Sequence, residues 1–598
     1  MATYASDGSP ADFVAKHALA SDGDKITFPA GAFIWPSVVA ITKQIDIEGA
    51  GGGRAEGSSS TSVLIGTGTK TFTILAGSIV TSGFTVGETI RATYKANGTK
   101  YMDGTVTSWD GTVLVLNATS TGGSGTFTQW VFVAPALTTI TNTNASGNAE
   151  LLNITPGTTR STTLSGVRLV QNNGVSAHLI IVEPVTGGKP VLIHDVRYTV
   201  TYGGLVTFKS NGHLLWNIFG DLGFNFAAGQ ALGTIRVKSF SPDDKGWNEV
   251  NSMGADDTSG TKNTYVESSY FSGISCTDWD DNARGVFRHC VIDHASCSSH
   301  GPDTSYHGAQ HVEYYNNLGI FESLGDDTLN QQTFFESRGG TGIFADNVIA
   351  AINSGKWGDK PEFKLQVQML DRNAGPFGLW GQGVAGAQYP CPRQIGMGHA
   401  NTGLLDHDVT YAAGSVNLVT GLDSNGIYLG DLCPWYQWGN SGGASFTAPS
   451  IEASGYNQGT PDSVGDYFQV GRDWINGAKS GYLKYEYPHP LRAPAAPAFT
   501  LDPTSRTVTA GASTTFTATA TGNPTPTYQW RKNGNNISGA TSASYTIVTV
   551  TGDSGSYTCR ATNTEGNATS AAGVLTVNTA GENAGRPFAP TNLIYAPA

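Results

Sequence analysis

Between residues 136 and 360 short apolar runs keep returning, beginning at Thr163, Val191, His213, Gly233, Asn263, Gly285, His311 and Gly342. Their starts lie about 20 to 31 residues apart, the length of one coil in a solenoid whose loops vary in size. Antiparallel sandwiches in series would need turn signals about every 8 to 12 residues, and the longer spacing fits coils better. Several runs carry Asp, Asn or His just before a final apolar residue, as in His194-Asp195-Val196, Trp216-Asn217-Ile218 and Asp346-Asn347-Val348. In a stacked coil such residues suit a left-handed bend, where a short polar side chain satisfies nearby backbone groups. His289, Asn316 and Asp346 occupy equivalent places and are expected to be turn residues of this kind.

The pattern resembles the right-handed parallel β-helix of pectate-lyase-like proteins. The beginning of the chain agrees: Ser9-Pro10-Ala11-Asp12-Phe13-Val14 reads as a short capping helix, and residues 23–31 and 41–49 read as the first coils. With 77 glycines and only 14% charged residues, strands and tight turns are favoured over helices. The expected fold is all-β, a right-handed parallel β-helix with an inserted small antiparallel β module and a C-terminal immunoglobulin-like β-sandwich. Residues 1–61 form the cap and first coils, 62–135 the module, 136–360 the main helix, and 361–492 a C-terminal region with long loops.

The module is marked by alternation and Gly-rich turns, notably Tyr101-Met102-Asp103-Gly104-Thr105-Val106-Thr107-Ser108, Thr112-Val113-Leu114-Val115-Leu116 and Ser124-Gly125-Thr126-Phe127. It is similar to a module common in tail and other structural proteins of bacteriophages. Residues 389–396, 466–474 and 485–491 look like the closing region of β-helix proteins found in phage and environmental sequences. Residues 493–497 read as a Pro/Ala linker, and 579–598 as an extended tail.

Near the C-terminus, Tyr528-Gln529-Trp530 supplies a core tryptophan, and Tyr557-Thr558-Cys559 supplies a tyrosine two residues before a cysteine. These motifs resemble I-set immunoglobulin domains over residues 498–578, with Tyr557 in the tyrosine corner. The resemblance places the first cysteine of the usual disulfide where Thr517-Ala518-Thr519 stands, so Cys559 is expected to remain a thiol opposite Ala518. The other cysteines (Cys276, Cys290, Cys297, Cys391 and Cys433) lack CxxC spacing and are expected to be thiols too. The first residues carry no basic segment, apolar stretch or cleavage site of a secretion signal, so synthesis in a reducing cytoplasm is expected. No run approaches the roughly 18 apolar residues of a membrane-spanning helix. A formal charge of −13 without a basic cluster argues against nucleic acid as a partner.

Chemistry is expected on the flank of the solenoid, where the densest polar stretch runs from Asp278 through His307. Asp280, Asp281, His300, Asp303 and Arg288 are the candidate catalytic residues. Asp280-Asp281 and His300-Gly301 resemble the aspartate pair and Gly-His-Gly of polygalacturonase-like hydrolases. The likeness is partial, because Trp279 precedes the pair, Ser299 replaces the first glycine and no Arg-Ile-Lys follows. A lyase would need carboxylates for Ca²⁺ and a basic residue beside the sugar acid, yet no lysine occurs between Lys262 and Lys356. An inverting hydrolase would need two carboxyls around a water. No metal ligand set is assigned, and no cofactor is expected unless the chemistry is that of a lyase. The same aspartates and histidines also suit solvated turns. Trp279, Trp357 and Trp380 are candidate sugar platforms, or they pack the loops that cover the solenoid.

These features lead to the expectation of a bacteriophage virion-surface protein, a tail spike, fibre or capsid decoration touching host-surface polysaccharide. Its partners would be other virion proteins and, by analogy with β-helical spikes, two further copies in a homotrimer. A polysaccharide depolymerase on the same scaffold is the alternative.

Overall fold

The computed structural model describes residues 2–50, 55–76, 78, 84, 86–95, 99–133, 138–144, 150–171, 177–200, 203–220, 234–239, 257–272, 275–280, 283–293, 295–299, 309, 311–321, 333–337, 340–352, 364–368, 416–417, 422–423, 435–441, 450–452, 470–471, 474–492, 495–523, 527–563 and 566–579. Residues 1–484 and 485–598 form two compact units. The protein is mostly β.

The N-terminal unit opens with a strand, Thr3–Ala5, and then the helix α1, Pro10–Leu19. Ser9 caps it by accepting from the Asp12 backbone N–H at 3.2 Å, while Pro10 takes the first turn, where no N–H partner is needed. Its buried Phe13 ring lies 5.3 Å from Phe28 and 5.4 Å from Trp35, which fastens the helix to the first strands. The expected capping helix is therefore present.

Beyond α1 the backbone is organised in parallel ladders. One ladder runs through Lys25–Thr27, Asp46–Glu48, Thr162–Ser165, Val191–Thr199, Leu214–Gly220, Thr264–Glu267, Arg284–Arg288, His311–Tyr315, Thr341–Ala345, Trp435–Trp438 and Trp474–Asn476. A second ladder includes Gly31–Trp35, Thr138–Asn142, Arg168–Gln171, Tyr270–Ser272, Val291–Asp293, Leu318–Phe321 and Val348–Ile352. Val191–Thr199 and Leu214–Gly220 are long enough to serve both. A third, of ten strands, begins at Val39–Ile41 and includes Ile235–Val237, Ser275–Trp279, Ser296–Ser299 and Thr333–Ser337.

Where the chain passes from the first ladder to the second, it bends through a left-handed residue. Asp195, Asn217, Ser268, His289, Asn316 and Asp346 all have φ between 46° and 58°, and Gly166 and Gly439 take the same place with φ of 70° and 66°. The polar bend residues anticipated from the sequence are thus in that conformation, His289 among them. The position after the bend carries a second device. Asn317 Oδ1 accepts from the Cys290 N–H, its Nδ2 donates to Phe287 O and to Asn347 Oδ1, and Asn347 donates in turn to Tyr314 O and Asn440 Oδ1. Each amide serves backbone groups that the bend withdraws from the strand ladder.

Side chains alternate across each strand, so one face fills the core. In the first ladder Ile193, Leu215, Val266, Phe287, Tyr314 and Phe344 stand in register and are all fully buried. Aromatic rings continue the column, with Tyr314 to Phe335 at 4.4 Å, Phe335 to Trp435 at 5.2 Å and Trp435 to Trp474 at 5.6 Å.

An antiparallel six-stranded sheet departs after Glu48: Ala55–Ser59, Gly68–Thr73, Thr89–Tyr94, Tyr101–Trp109, Val113–Gly122 and Trp130–Val133. Ala55–Ser59 belongs to it, ahead of the expected start at 62. Phe72, Ile90, Met102, Leu114, Leu116, Trp130 and Phe132 form its own core. Val131 and Val133 instead pack with Phe219, Tyr270, Val291, Leu318 and Ile320 of the second ladder. The parallel ladders ignore the excursion, since Asp46–Glu48 bonds directly to Thr163–Ser165.

The C-terminal unit is immunoglobulin-like. Thr527–Lys532 pairs with Gly555–Asn563 so that Trp530 faces Cys559, and Gly573–Asn578 pairs on the other side. Trp530, Phe516, Ala518, Tyr557, Cys559 and Leu575 make the core. The Tyr557 hydroxyl donates to Asp553 O at 3.0 Å, closing the expected tyrosine corner. Ala518 and Cys559 are both fully buried, and burial pushes the Cys559 thiol up to about 11. Strand Ala495–Leu501 begins inside the stretch read as a linker. The four described cysteines are buried and outside any disulfide, whereas Cys391 and Cys433 lie outside the described residues.

Candidate functional site

The strand Ser275–Trp279 and the residue after it give the expected site its geometry. Asp278 and Asp280 point away from the core, and Trp279 between them points into it, as strand alternation requires. Register sets Asp278 beside Arg236, where Arg236 Nε lies 3.2 Å from Asp278 Oδ2 and its terminal nitrogen 2.5 Å from Asp280 Oδ2. Lys238 Nζ adds a contact with Asp280 at 3.4 Å. Asp280 is further fixed through its backbone, donating to Val237 O and accepting from the Ala283 N–H. Along the same face the row continues to Ser298 and Glu336 in one direction and to Thr207 in the other. Beside Thr207, Lys209 holds Glu183 at 2.9 Å, and Asn153 also donates to Glu183. The result is a row of opposite charges interleaved with hydroxyl and amide groups, in which Asp278 and Asp280 are buried and Arg236, Lys238, Lys209 and Glu183 are partly exposed.

Trp279 corrects one expectation. Its side chain has no exposure, its Nε1 donates to the Tyr314 hydroxyl, and its ring fills the space where a Cβ on Gly285 would stand 2.6 Å away. A sugar cannot stack on it. The ring is a core element, placed there by the alternation of Asp278, Trp279 and Asp280.

Arg288 belongs to a different cluster. It lies on the first ladder, opposite Glu267 and Tyr315 in register, and is fully buried. It donates to Glu267 Oε1 through Nε at 2.8 Å and through a terminal nitrogen, and to the Tyr315 hydroxyl at 2.9 Å. Burial pulls its proton affinity down, but the Glu267 carboxylate and Tyr315 more than reverse that and hold the guanidinium above its ordinary range. Such a group does not take a proton from a substrate. Asp280 and Arg288 therefore belong to separate ion-paired clusters on separate ladders.

One network on this face was not foreseen. His311 Nε2 lies 3.0 Å from Glu313 Oε1, and Tyr482 donates to Glu313 Oε2 at 2.6 Å. Lys484 reaches Asn316 Oδ1 at 2.8 Å and Asp346 Oδ2 at 2.6 Å, so residues 482–484 are tied across the left-handed bends. No local motif announces contacts that span about 140 to 170 residues of sequence. Burial holds the His311 imidazole below its ordinary pKa, against the pull of Glu313.

Asp281, His300, Asp303, Trp357 and Trp380 lie outside the described residues. Among the described residues no group of three or more His, Cys, Asp or Glu side chains is placed to hold a metal ion, and no helix is long and apolar enough to cross a membrane.

Residues 496–563 match the immunoglobulin domain family. Among solved structures, the tandem Ig repeats of Dlar are similar at 29% identity, over 14% of this chain and 47% of that one, with a TM-score of 0.14. A chimeric titin Z1Z2 fragment matches at 30% identity over 14% of this chain and 98% of its own, TM-score 0.13. Sidekick-1 immunoglobulin domains 1–5 match at 27% identity over 17% and 24%, TM-score 0.14. The matched stretch spans about half the length of the Dlar fragment, and overall likenesses this low carry no argument for the rest of the chain. No curated protein matches.

Proposed function

We propose that this chain is a structural protein of a bacteriophage particle, a tail spike, fibre or capsid decoration, whose parallel ladders wind as a right-handed β-helix and whose surface contacts host glycans. The observation that carries the reading is the antiparallel module. Its hairpin of Tyr101–Trp109 and Val113–Gly122 contains the string that resembles phage structural proteins. An immunoglobulin-like domain without its disulfide suits assembly in a bacterial cytoplasm followed by display on a virion. The row of Asn153, Glu183, Lys209, Thr207, Arg236, Lys238 and Ser298 alternates donors and acceptors, which is the chemistry that recognises sugar hydroxyls, and the buried Asp278 and Asp280 anchor Arg236 and Lys238 from beneath. Its ion pairs hold those groups in place, a preorganisation that favours binding. Three copies side by side would multiply weak contacts with a repeating polysaccharide.

The depolymerase reading loses Arg288 as a base and Trp279 as a platform, while its other candidates Asp281, His300, Asp303, Trp357 and Trp380 lie outside the described residues. Mass spectrometry of purified particles of the phage encoding this chain should find it in the virion. Its absence from particles that contain their other structural proteins would overturn the proposal. Incubation with host capsular or exopolysaccharide should give binding without new reducing ends or unsaturated products.

A further inference from the structure

The contact between the antiparallel module and the second ladder contains an unusual pair of charges. Lys95 follows the module strand Thr89–Tyr94, and Asp293 ends the ladder strand Val291–Asp293. Lys95 Nζ lies 2.8 Å from Asp293 Oδ2, with side-chain exposures of 2% and 0%. Tyr270 and Val291 belong to the apolar cluster in which the module's Val131 and Val133 meet Phe219, Leu318 and Ile320 of the ladder. The Tyr270 hydroxyl donates to the same Oδ2. Lysine and aspartate are almost never fully buried unless paired, and here each is the other's ion partner, beside a phenol. The nitrogen and the carboxyl group that an amide would join are thus held side by side.

We propose that Lys95 and Asp293 condense into an intramolecular amide that welds the module to the ladder. The ammonium passes one proton to the carboxylate, giving a neutral amine and a neutral acid. The Nζ lone pair attacks Cγ and a C–N bond forms. The Cγ–Oδ2 bond then breaks, with Oδ2 leaving as water. Tyr270 donates its phenolic proton to that oxygen and recovers one from the attacking nitrogen. The net change is loss of one water per chain, with nothing oxidised or reduced and no co-reactant. The two groups are already in van der Waals reach in a site closed to solvent, which supplies the proximity such a reaction requires.

The test is peptide mass spectrometry on the full-length folded protein after proteolysis. The expected result is a branched peptide joining the segments that contain Lys95 and Asp293, lighter by one water than their sum. Lys95→Arg, which keeps a cation but cannot form this amide, should give only the separate peptides. Tyr270→Phe should slow formation of the branched peptide after refolding. Recovery of the two segments only as separate, full-mass peptides from the wild-type protein would overturn the proposal. That result would leave the virion reading untouched, because it rests on the module's sequence and not on this contact.

Discussion

Asn347 Oδ1 receives both the backbone N–H of Asn317, at 3.1 Å, and the Asn317 side-chain amide, at 3.0 Å. One oxygen thus holds a bend together from the neighbouring rung. Because Asn347 also donates to Tyr314 O and Asn440 Oδ1, Asn347→Ala takes partners from groups on the rungs to either side of it. Leaving buried donors and acceptors unmade costs about 1 to 3 kcal/mol each, so a loss of at least about 2 kcal/mol is expected in denaturant unfolding.

Glu267 and Arg288 form a pair with no exposure on either side chain. Removing one partner by Glu267→Ala should destabilise the N-terminal unit by about 3 to 5 kcal/mol, because the other charge stays buried. Replacing both with apolar residues of similar size should restore much of the loss. A double-mutant unfolding series checks the contrast.

Trp279→Ala tests the core assignment. A large buried aromatic cut to alanine costs about 3 to 5 kcal/mol, and the Tyr314 hydroxyl loses the indole donor. Unfolding should move by that amount, while glycan binding by the folded fraction stays unchanged.

His213 is stacked 4.3 Å from Phe208, accepts from the Val191 N–H at 3.2 Å and meets Ser210 Oγ at 3.1 Å. Burial lowers its pKa to about 3. Since the folded value lies below the unfolded one near 6.5, the unfolded chain binds more protons between the two. The contribution is complete above about pH 6.5 and is lost as pH falls, with a limiting slope of about 1.4 kcal/mol per unit. His213→Gln should flatten that part of a stability-against-pH curve.

In the C-terminal unit, Ala518→Cys places a thiol in the core that already holds Cys559. Oxidation would close a loop of about 40 residues and stabilise the domain by about 4 kcal/mol in the chain-entropy estimate. Hydrogen exchange of residues 527–563 with and without reductant should register it.

How far the sequence reaches is seen in two neighbouring residues. His289 could be assigned to a bend, because a polar residue closing each apolar run reports local backbone conformation. Trp279 could not be assigned by composition alone, since Asp-Trp-Asp-Asp looks like a solvated loop. Its period-two alternation was present, but the inward direction depends on register with Ile235–Val237. The same holds for Arg288, whose partner Glu267 lies 21 residues away and becomes a neighbour only when strands stack. The missing cysteine at Ala518 and the tyrosine corner were legible because immunoglobulin-like sandwiches keep fixed intervals between their core residues.

The direct bonding of Asp46–Glu48 to Thr163–Ser165 and of Val39–Ile41 to Leu152–Ile154 makes the module a detachable cassette as far as backbone pairing is concerned. It is not detachable as far as water is concerned. Excision would uncover Phe219, Tyr270, Val291, Leu318 and Ile320 as one continuous greasy strip, and a shortened chain would be driven to cover it with a copy of itself.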